Sequence, residues 1–250
     1  MFLSVCRCDR MLPSPRSGRP KDANAASPDV RWHYFSRQAA ALEYADSLPP
    51  DMQAQVWSVE QEEHGGKRSY IVASREAFWH RYHRMMPHHR HHYEIIRECK
   101  PCHLYFDLEF CTRANPQSNG DLMVSTLSEE ARTALGSYFF DGRCPECHIV
   151  DLDSTTALKF SRHLIVRITG AAFANNLECG SFVRGMLSAL ERRRASEPQI
   201  AALFVALKVA ELPCNPAPAP AVVSFVDTSV YSRNRCFRLC KRSGYCPRWP

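Results

Sequence analysis

The sequence predicts an α+β fold, a mixed or antiparallel sheet with helices packed on it. Short β-branched and aromatic runs alternate with stretches of helical apolar spacing along 250 residues, and no internal repeat appears. A hydrophobic fraction of 45% and an aromatic fraction of 10% supply enough apolar material for a core, which excludes wholesale disorder. No run of about 18 apolar residues occurs, so no membrane-spanning helix and no membrane partner are expected.

Order is expected from residue 29 onward. Residues 1–28 are rich in Arg, Ser and Pro and read as a disordered segment or an organelle-targeting leader. Good helix formers over 36–45 follow Ser36 at the cap position, and Pro49-Pro50 stops that helix. Residues 55–59 and 69–73 predict two strands joined through a turn at Gly65-Gly66. Ser74 can cap a helix carrying Phe78, Trp79 and Tyr82 that ends before Pro87. The sharpest strand is HLYFDLEF at 103–110, ended by turn chemistry at Asn115-Pro116 and Asn119-Gly120. A helix over 124–139 and a strand over 160–168 come next. Ser181 is positioned to cap a helix whose apolar face is Phe182, Val183, Met186, Leu187 and Leu190, closed by cations at Arg192, Arg193 and Arg194. Residues 213–220 (PCNPAPAP) form a stiff linker, and 222–227 and 236–240 predict two further strands.

Asp107 and Glu109 stand at i and i+2 of a strand, so both carboxylates lie on one face. Adjacent carboxylates repel, and a hard divalent cation such as Mg²⁺ or Mn²⁺ relieves the repulsion; a wet edge-strand face accounts for the same pattern without a metal. Asp227 ends an apolar strand and can bring a third carboxylate to the same end of the sheet, enough for two metals, or it is a turn residue. Alternation sends Lys159, Ser161 and His163 to one face, a cation, a hydroxyl and an imidazole suited to phosphate oxygens. Arg233, Arg235, Arg238, Lys241 and Arg242 crowd the stretch after Asp227, either as anion clamps or as a solvated basic face. The net charge of +6 is compatible with a polyanionic partner.

Twelve Cys with no hydrophobic signal core point to reduced thiols. Two CxxC pairs, Cys99/Cys102 and Cys144/Cys147, offer the four thiolates of a zinc site, and that makes a zinc-stabilised interaction module one alternative. His80, His83, His88, His89, His91 and His92 form a tract that reads as a metal site or a solvated helix end.

HLYFDLEF at 103–110, KFSRHLI at 159–165 and FVDTSVYSRNRCFRL at 225–239 resemble, in order and spacing, the three catalytic motifs of the eukaryotic primase-polymerases of the archaeo-eukaryotic primase superfamily. FSRQAAA at 35–41, REAFW at 75–79 and YEII at 93–96 are similar to other segments of that family. The resemblance implies a primase catalytic core over 29–241, built as two α/β modules with an RRM-like second module. It implies that Asp107, Glu109 and Asp227 bind two catalytic Mg²⁺ or Mn²⁺ ions. Lys159, Ser161, His163 and Arg238 would hold the nucleotide triphosphate, with Arg235 assisting, and Tyr93 would sit near the sugar. Arg37, Gln38 and Arg68 would approach a single-stranded DNA template.

The implied activity is making and extending primers from deoxynucleoside and nucleoside triphosphates. It would serve lesion-tolerant replication and fork restart in nucleus and mitochondrion, by a monomer. The resemblance stops near Lys241, Gly244 stands where the family has a phosphate-binding lysine, and 242–250 are divergent. The chain therefore reads as an incomplete core, without the family's zinc site or its tail for single-strand-binding protein. A catalytically weak binder of nucleotide or single-stranded DNA is the second alternative.

Overall fold

Strand alternation shapes both large sheets of the protein. The computed structural model describes residues 5–7, 32–60, 67–144, 146–207 and 221–239. In chain order the elements are β1 Val5–Arg7, β2 His33–Phe35, α1 Gln38–Ser47, β3 Ala54–Glu60, β4 Arg68–Ser74, α2 Arg75–Arg84, β5 His92–Ile96 and β6 Leu104–Cys111. There follow α3 Gly120–Phe139, β7 Cys147–Asp153, β8 Lys159–Ile168, β9 Ala171–Phe173, α4 Asn176–Arg193, α5 Pro198–Ala201, β10 Phe204–Ala206, β11 Val222–Ser224 and β12 Arg235–Arg238. They fall into two units. A central unit comprises Met1–Met11 and Arg97–Arg233, and a unit flanking it in sequence comprises Leu12–Ile96 and Asn234–Pro250.

The flanking unit is a sheet of order β12-β5-β3-β4-β2, antiparallel at every pairing. Val56, Val72 and Ile95 turn to one face and pack on Ala41 and Ala45 of α1. Trp57, Ile71 and Ala73, one residue out of phase, turn to the other face and pack on Phe78 and Tyr82 of α2. Trp57 stacks on Phe78 with ring centroids 3.9 Å apart. Losing such a buried ring costs about 3–5 kcal/mol, so this stack anchors α2 to the sheet.

In the central unit β8 lies between β6 and β7, antiparallel to both. Gly170, at φ 73°, turns β8 into β9, which carries β1 on its edge. Leu104, Phe106, Leu108 and Phe110 of β6 are buried, as are Phe160, Leu164 and Val166 of β8, and Phe110 stacks on Phe160 at 4.7 Å. Helix α3 buries Met123, Leu127, Ala131 and Leu135, and α4 buries Phe182, Val183, Met186 and Leu190. Among the described residues no helix is long and apolar enough to cross a membrane.

The mixed helix and sheet content agrees with the α+β expectation, while several element starts differ from it. Helix α1 begins at Gln38 with Arg37 at the cap and no side-chain capping bond, not at Ser36. The unexpected strand β2 pairs with β4 as far as Phe35 and delays the helix. Helix α3 starts at Gly120, because the Asn119 side chain accepts from the Leu122 N–H at 3.1 Å and acts as a cap as well as ending a loop. Helix α4 starts at Asn176, capped by Asn175, whose Oδ1 accepts from the N–H groups of Leu177 and Glu178; Ser181 lies inside it. Ser74 does cap α2, accepting from the Ala77 N–H at 3.2 Å. Strands β1, β5, β7, β9 and β10 were not anticipated from their residues, and the expected 222–227 strand stops at Ser224, where β11 pairs with β10 in a separate two-stranded sheet. The leader reading outside residues 5–7, the Gly65-Gly66 turn, the 213–220 linker, and Lys241 with the divergent 242–250 segment all lie outside the described residues.

Candidate active site

The buried even-numbered positions of β6 leave Asp107 and Glu109 on its other face. The β6–β8 register sets Asp107 opposite His163, Glu109 opposite Ser161 and Cys111 opposite Lys159. Residues directly opposite in an antiparallel pair share a face. On the other edge of β6, Leu108 is bridged to Val226. There the Asp227 N–H donates to the Asp107 carbonyl and the Glu109 N–H to the Phe225 carbonyl, each at 2.8 Å. This sets Asp227 opposite Asp107. Asp107, Glu109, Lys159, Ser161 and His163 therefore occupy neighbouring positions on one face of a single sheet, and Asp227, just past the isolated Val226 bridge and at the cap of a short turn, lies across from Asp107.

The side chains on this face are already engaged with one another. His163 Nε2 lies 3.3 Å from Asp107 Oδ1, with both side chains largely shielded from solvent. Lys159 Nζ contacts Glu109 Oε2 directly. The Asp227 carboxylate accepts from the Ser229 N–H at 2.8 Å and from the Ser229 hydroxyl at 2.9 Å. Among the described residues no group of three His, Cys, Asp or Glu side chains converges closely enough to hold a metal ion. Asp107 Oδ1 is buried and accepts no hydrogen bond from the described residues, its contact with His163 Nε2 being an ion-pair approach at 3.3 Å. A carboxylate oxygen of this kind, with Glu109 and Asp227 as further hard oxygen donors, suits Mg²⁺ or Mn²⁺.

Two tyrosines that sequence reasoning missed hold the Asp227 segment to β6. Tyr231 Oη donates to the Tyr105 carbonyl, and Tyr105 Oη donates to the Val230 carbonyl at 3.3 Å. Both residues are buried, and burial holds the Tyr231 phenol protonated well above the usual tyrosine range. Gly180 of α4 makes room for the latch, since a Cβ there would fall 2.4 Å from Tyr231 Cβ.

The remaining candidates lie in the flanking unit. Tyr93 on β5 faces Arg238 on β12 and Ser58 on β3. Arg238 Nη2 donates to Tyr93 Oη at 3.3 Å, and that hydroxyl in turn donates to Glu60 Oε2 at 2.8 Å. The Arg68 guanidinium stands 4.6 Å from the Tyr93 ring centroid and that of Arg238 5.6 Å. Arg235 is separated from Arg238, because alternation along β12 puts the two on opposite faces. Arg37 is exposed at the start of α1, while Gln38 Nε2 donates to the Asn234 carbonyl at 3.0 Å.

The competing metal sites are not assembled. Cys144 and Cys147 approach to 3.5 Å between sulfurs, and burial, then the Cys144 thiol, pushes the Cys147 thiol up to about 12. Cys99 is exposed, Cys102 is bridged to Phe173, and the four thiols are not gathered into one site. His92 is a buried core residue between the rings of Phe78 and Tyr82, its imidazole lowered to about 4 by burial and then by His91.

No protein-family model matches the chain. It is similar to the DNA-directed primase/polymerase protein of Mus musculus, 33% identical over 254 residues that cover 90% of this chain and 47% of that protein. The protein of that name from Homo sapiens is 37% identical over 169 residues, covering 68% of this chain and 30% of its own length. The one from Danio rerio is 30% identical over 254 residues, covering 90% and 45%. The chain thus spans about half the length, or less, of the relatives it matches. Across nine-tenths of its own length, the chain is a relative of the DNA-directed primase/polymerase proteins.

Proposed function

We propose that this chain carries the catalytic strands of a DNA-directed primase and polymerase that makes and extends primers on single-stranded DNA. The observation behind the reading is the register that sets Asp107 and Glu109 on one sheet face opposite His163 and Ser161 and near Lys159, with Asp227 across from Asp107. Asp107, Glu109 and Asp227 would hold two Mg²⁺ or Mn²⁺ ions. When bound, such ions lower the pKa of an attacking 3′-hydroxyl and stabilise a departing pyrophosphate.

The chain's own residues bind and orient the substrate. Lys159 supplies a charged donor, Ser161 a hydroxyl and His163 a ring N–H for triphosphate oxygens. In the structure described here Lys159 is held by Glu109 and His163 lies beside Asp107. A triphosphate would compete with Glu109 and Asp107 for these two partners. Arg238 is assigned to the triphosphate, Tyr93 to the sugar, and Arg37, Gln38 and Arg68 to the template. Arg235, on the opposite face of β12 from Arg238, has at most an assisting role.

The superfamily's two-module core with an RRM-like second module is part of the same proposal. So are use of both deoxynucleoside and nucleoside triphosphates, action as a monomer, and a role in lesion-tolerant replication and fork restart in nucleus and mitochondria. The second reading, a nucleotide or single-stranded DNA binder of weak catalytic power, is favoured by the engagement of Glu109 with Lys159 and of Asp227 with Ser229. Extension of a labelled primer on a defined template separates the two. The first reading expects template-matched addition that requires Mg²⁺ or Mn²⁺. Nucleotide binding without any addition would leave the second.

A further inference from the structure

We infer that Glu60 is a positioning residue that fixes the Tyr93 hydroxyl as a pure hydrogen-bond acceptor toward the sugar of a bound nucleotide. The inference rests on the proposed assignment of Tyr93 to that sugar. Tyr93 Oη has two polar partners, Arg238 Nη2 at 3.3 Å and Glu60 Oε2 at 2.8 Å. A guanidinium can donate and never accept, and a carboxylate can accept and never donate. The direction of both bonds follows from chemistry alone. The phenolic hydrogen is committed to Glu60, one lone pair is taken by Arg238, and one lone pair remains.

A group that meets this oxygen must therefore bring its own hydrogen, as a sugar hydroxyl does. Deoxyribo- and ribonucleotides differ by one such hydroxyl, so the state of Tyr93 Oη bears directly on which sugar is preferred. Glu60 is well placed to hold this state. It ends β3, its N–H donates to the His91 carbonyl at 3.0 Å, and it lies directly across from Arg68 in the β3–β4 register. Arg68 and Arg238 cover the Tyr93 ring, leaving it 8% exposed, and a polyphosphate is the kind of ligand that would draw those cations away. Glu60→Gln preserves size but replaces the obligatory acceptor with an amide that also donates, which releases the phenolic hydrogen.

The test uses the full chain with Mn²⁺ and a primed template, comparing wild type, Glu60→Gln, Glu60→Ala, Tyr93→Phe and the Glu60→Gln/Tyr93→Phe pair. The readouts are kcat/KM for a deoxynucleoside triphosphate and for the matching nucleoside triphosphate, and the Kd of each. Glu60→Gln and Tyr93→Phe should shift the deoxy-to-ribo ratio in the same direction by about three- to tenfold, the worth of one hydrogen bond. The double variant should shift it no further than Tyr93→Phe alone. Glu60→Ala should match Glu60→Gln in the ratio even if it lowers both rates. A purely structural Glu60 would lower both nucleotides equally and leave the ratio unchanged, which overturns the inference while the polymerase reading stands. Shifts that simply add in the double variant overturn it as well. Wild-type protein that neither binds nor adds either nucleotide would instead remove the polymerase reading, and this inference with it.

Discussion

Tyr231→Phe removes a single oxygen from the latch that seats the Asp227 segment on β6. Its hydroxyl donates to the Tyr105 carbonyl, and the rings of the two residues lie 4.9 Å apart. Tyr231 is 4% exposed and Tyr105 2%, so water cannot replace the lost donor. The phenyl ring keeps its packing, which isolates the hydrogen bond from any cavity effect. Depriving a buried carbonyl of a donor costs about 1–3 kcal/mol, or roughly five- to 150-fold in the unfolding equilibrium. Urea denaturation should show this as a lower midpoint with an unchanged slope. Because the segment also carries Asp227, primer extension should fall together with stability. The raised Tyr231 phenol adds a pH signature. Stability from this hydroxyl is fully present below the ordinary tyrosine range near 10 and is lost as pH rises above it, since the unfolded phenol ionises first. Tyr231→Phe should lack that alkaline loss. A variant within about 0.5 kcal/mol of wild type, the span of neutral surface changes, with extension intact would refute the latch.

Gly180→Ala should destabilise by about 1–3 kcal/mol through overpacking, because its Cβ would fall 2.4 Å from Tyr231 Cβ; thermal melts would report it. Lys159→Ala and His163→Ala should each weaken nucleotide binding more than template binding, measured by separate titrations with nucleotide and with single-stranded DNA. Loss of template affinity with nucleotide affinity kept would reverse the assignment. His92 is held near pKa 4 by burial, against an ordinary value of 6.5, so the unfolded chain binds the extra proton first. Stability should be full above pH 6.5 and decline as pH falls toward 4, and His92→Phe should flatten that decline in denaturation curves.

Much of the candidate site was legible because strand periodicity is a local property. The i, i+2 spacing of Asp107 and Glu109, and of Lys159, Ser161 and His163, placed each group on one face before any partner strand was known. That the two groups share the same face is a matter of β6–β8 register, and the intervening helix α3 and strand β7 hide that register from the sequence. Asp227 was expected at the end of an apolar strand, but that strand stops at Ser224 and pairs with β10; an isolated bridge at Val226 brings Asp227 beside β6, where its side chain caps a short turn through Ser229. The Tyr105–Tyr231 latch was not legible, since it joins residues far apart in sequence through side chains that look like ordinary core aromatics. Glu60 was missed for a different reason. Its position across a hairpin from Arg68 could have suggested a charge pair, but its bond to Tyr93 depends on β5, a strand not predicted from its own residues. Asn119 and Asn175 outcompeted the expected helix starts because an Asn cap satisfies the first N–H groups as well as a serine does.

Primer extension by wild type and by the Asp107→Ala/Glu109→Ala variant, at matched concentration across a Mn²⁺ series, tests the central assignment most directly. The two carboxylates stand on one strand face and, among the described residues, contact only the side chains of His163 and Lys159 across the strand pair, so removing both should leave the fold intact by circular dichroism. Template-matched extension by wild type should rise with Mn²⁺, and the folded variant should give none above background at any Mn²⁺ concentration. Equal extension by the two proteins would contradict the assignment of these acids to the reaction.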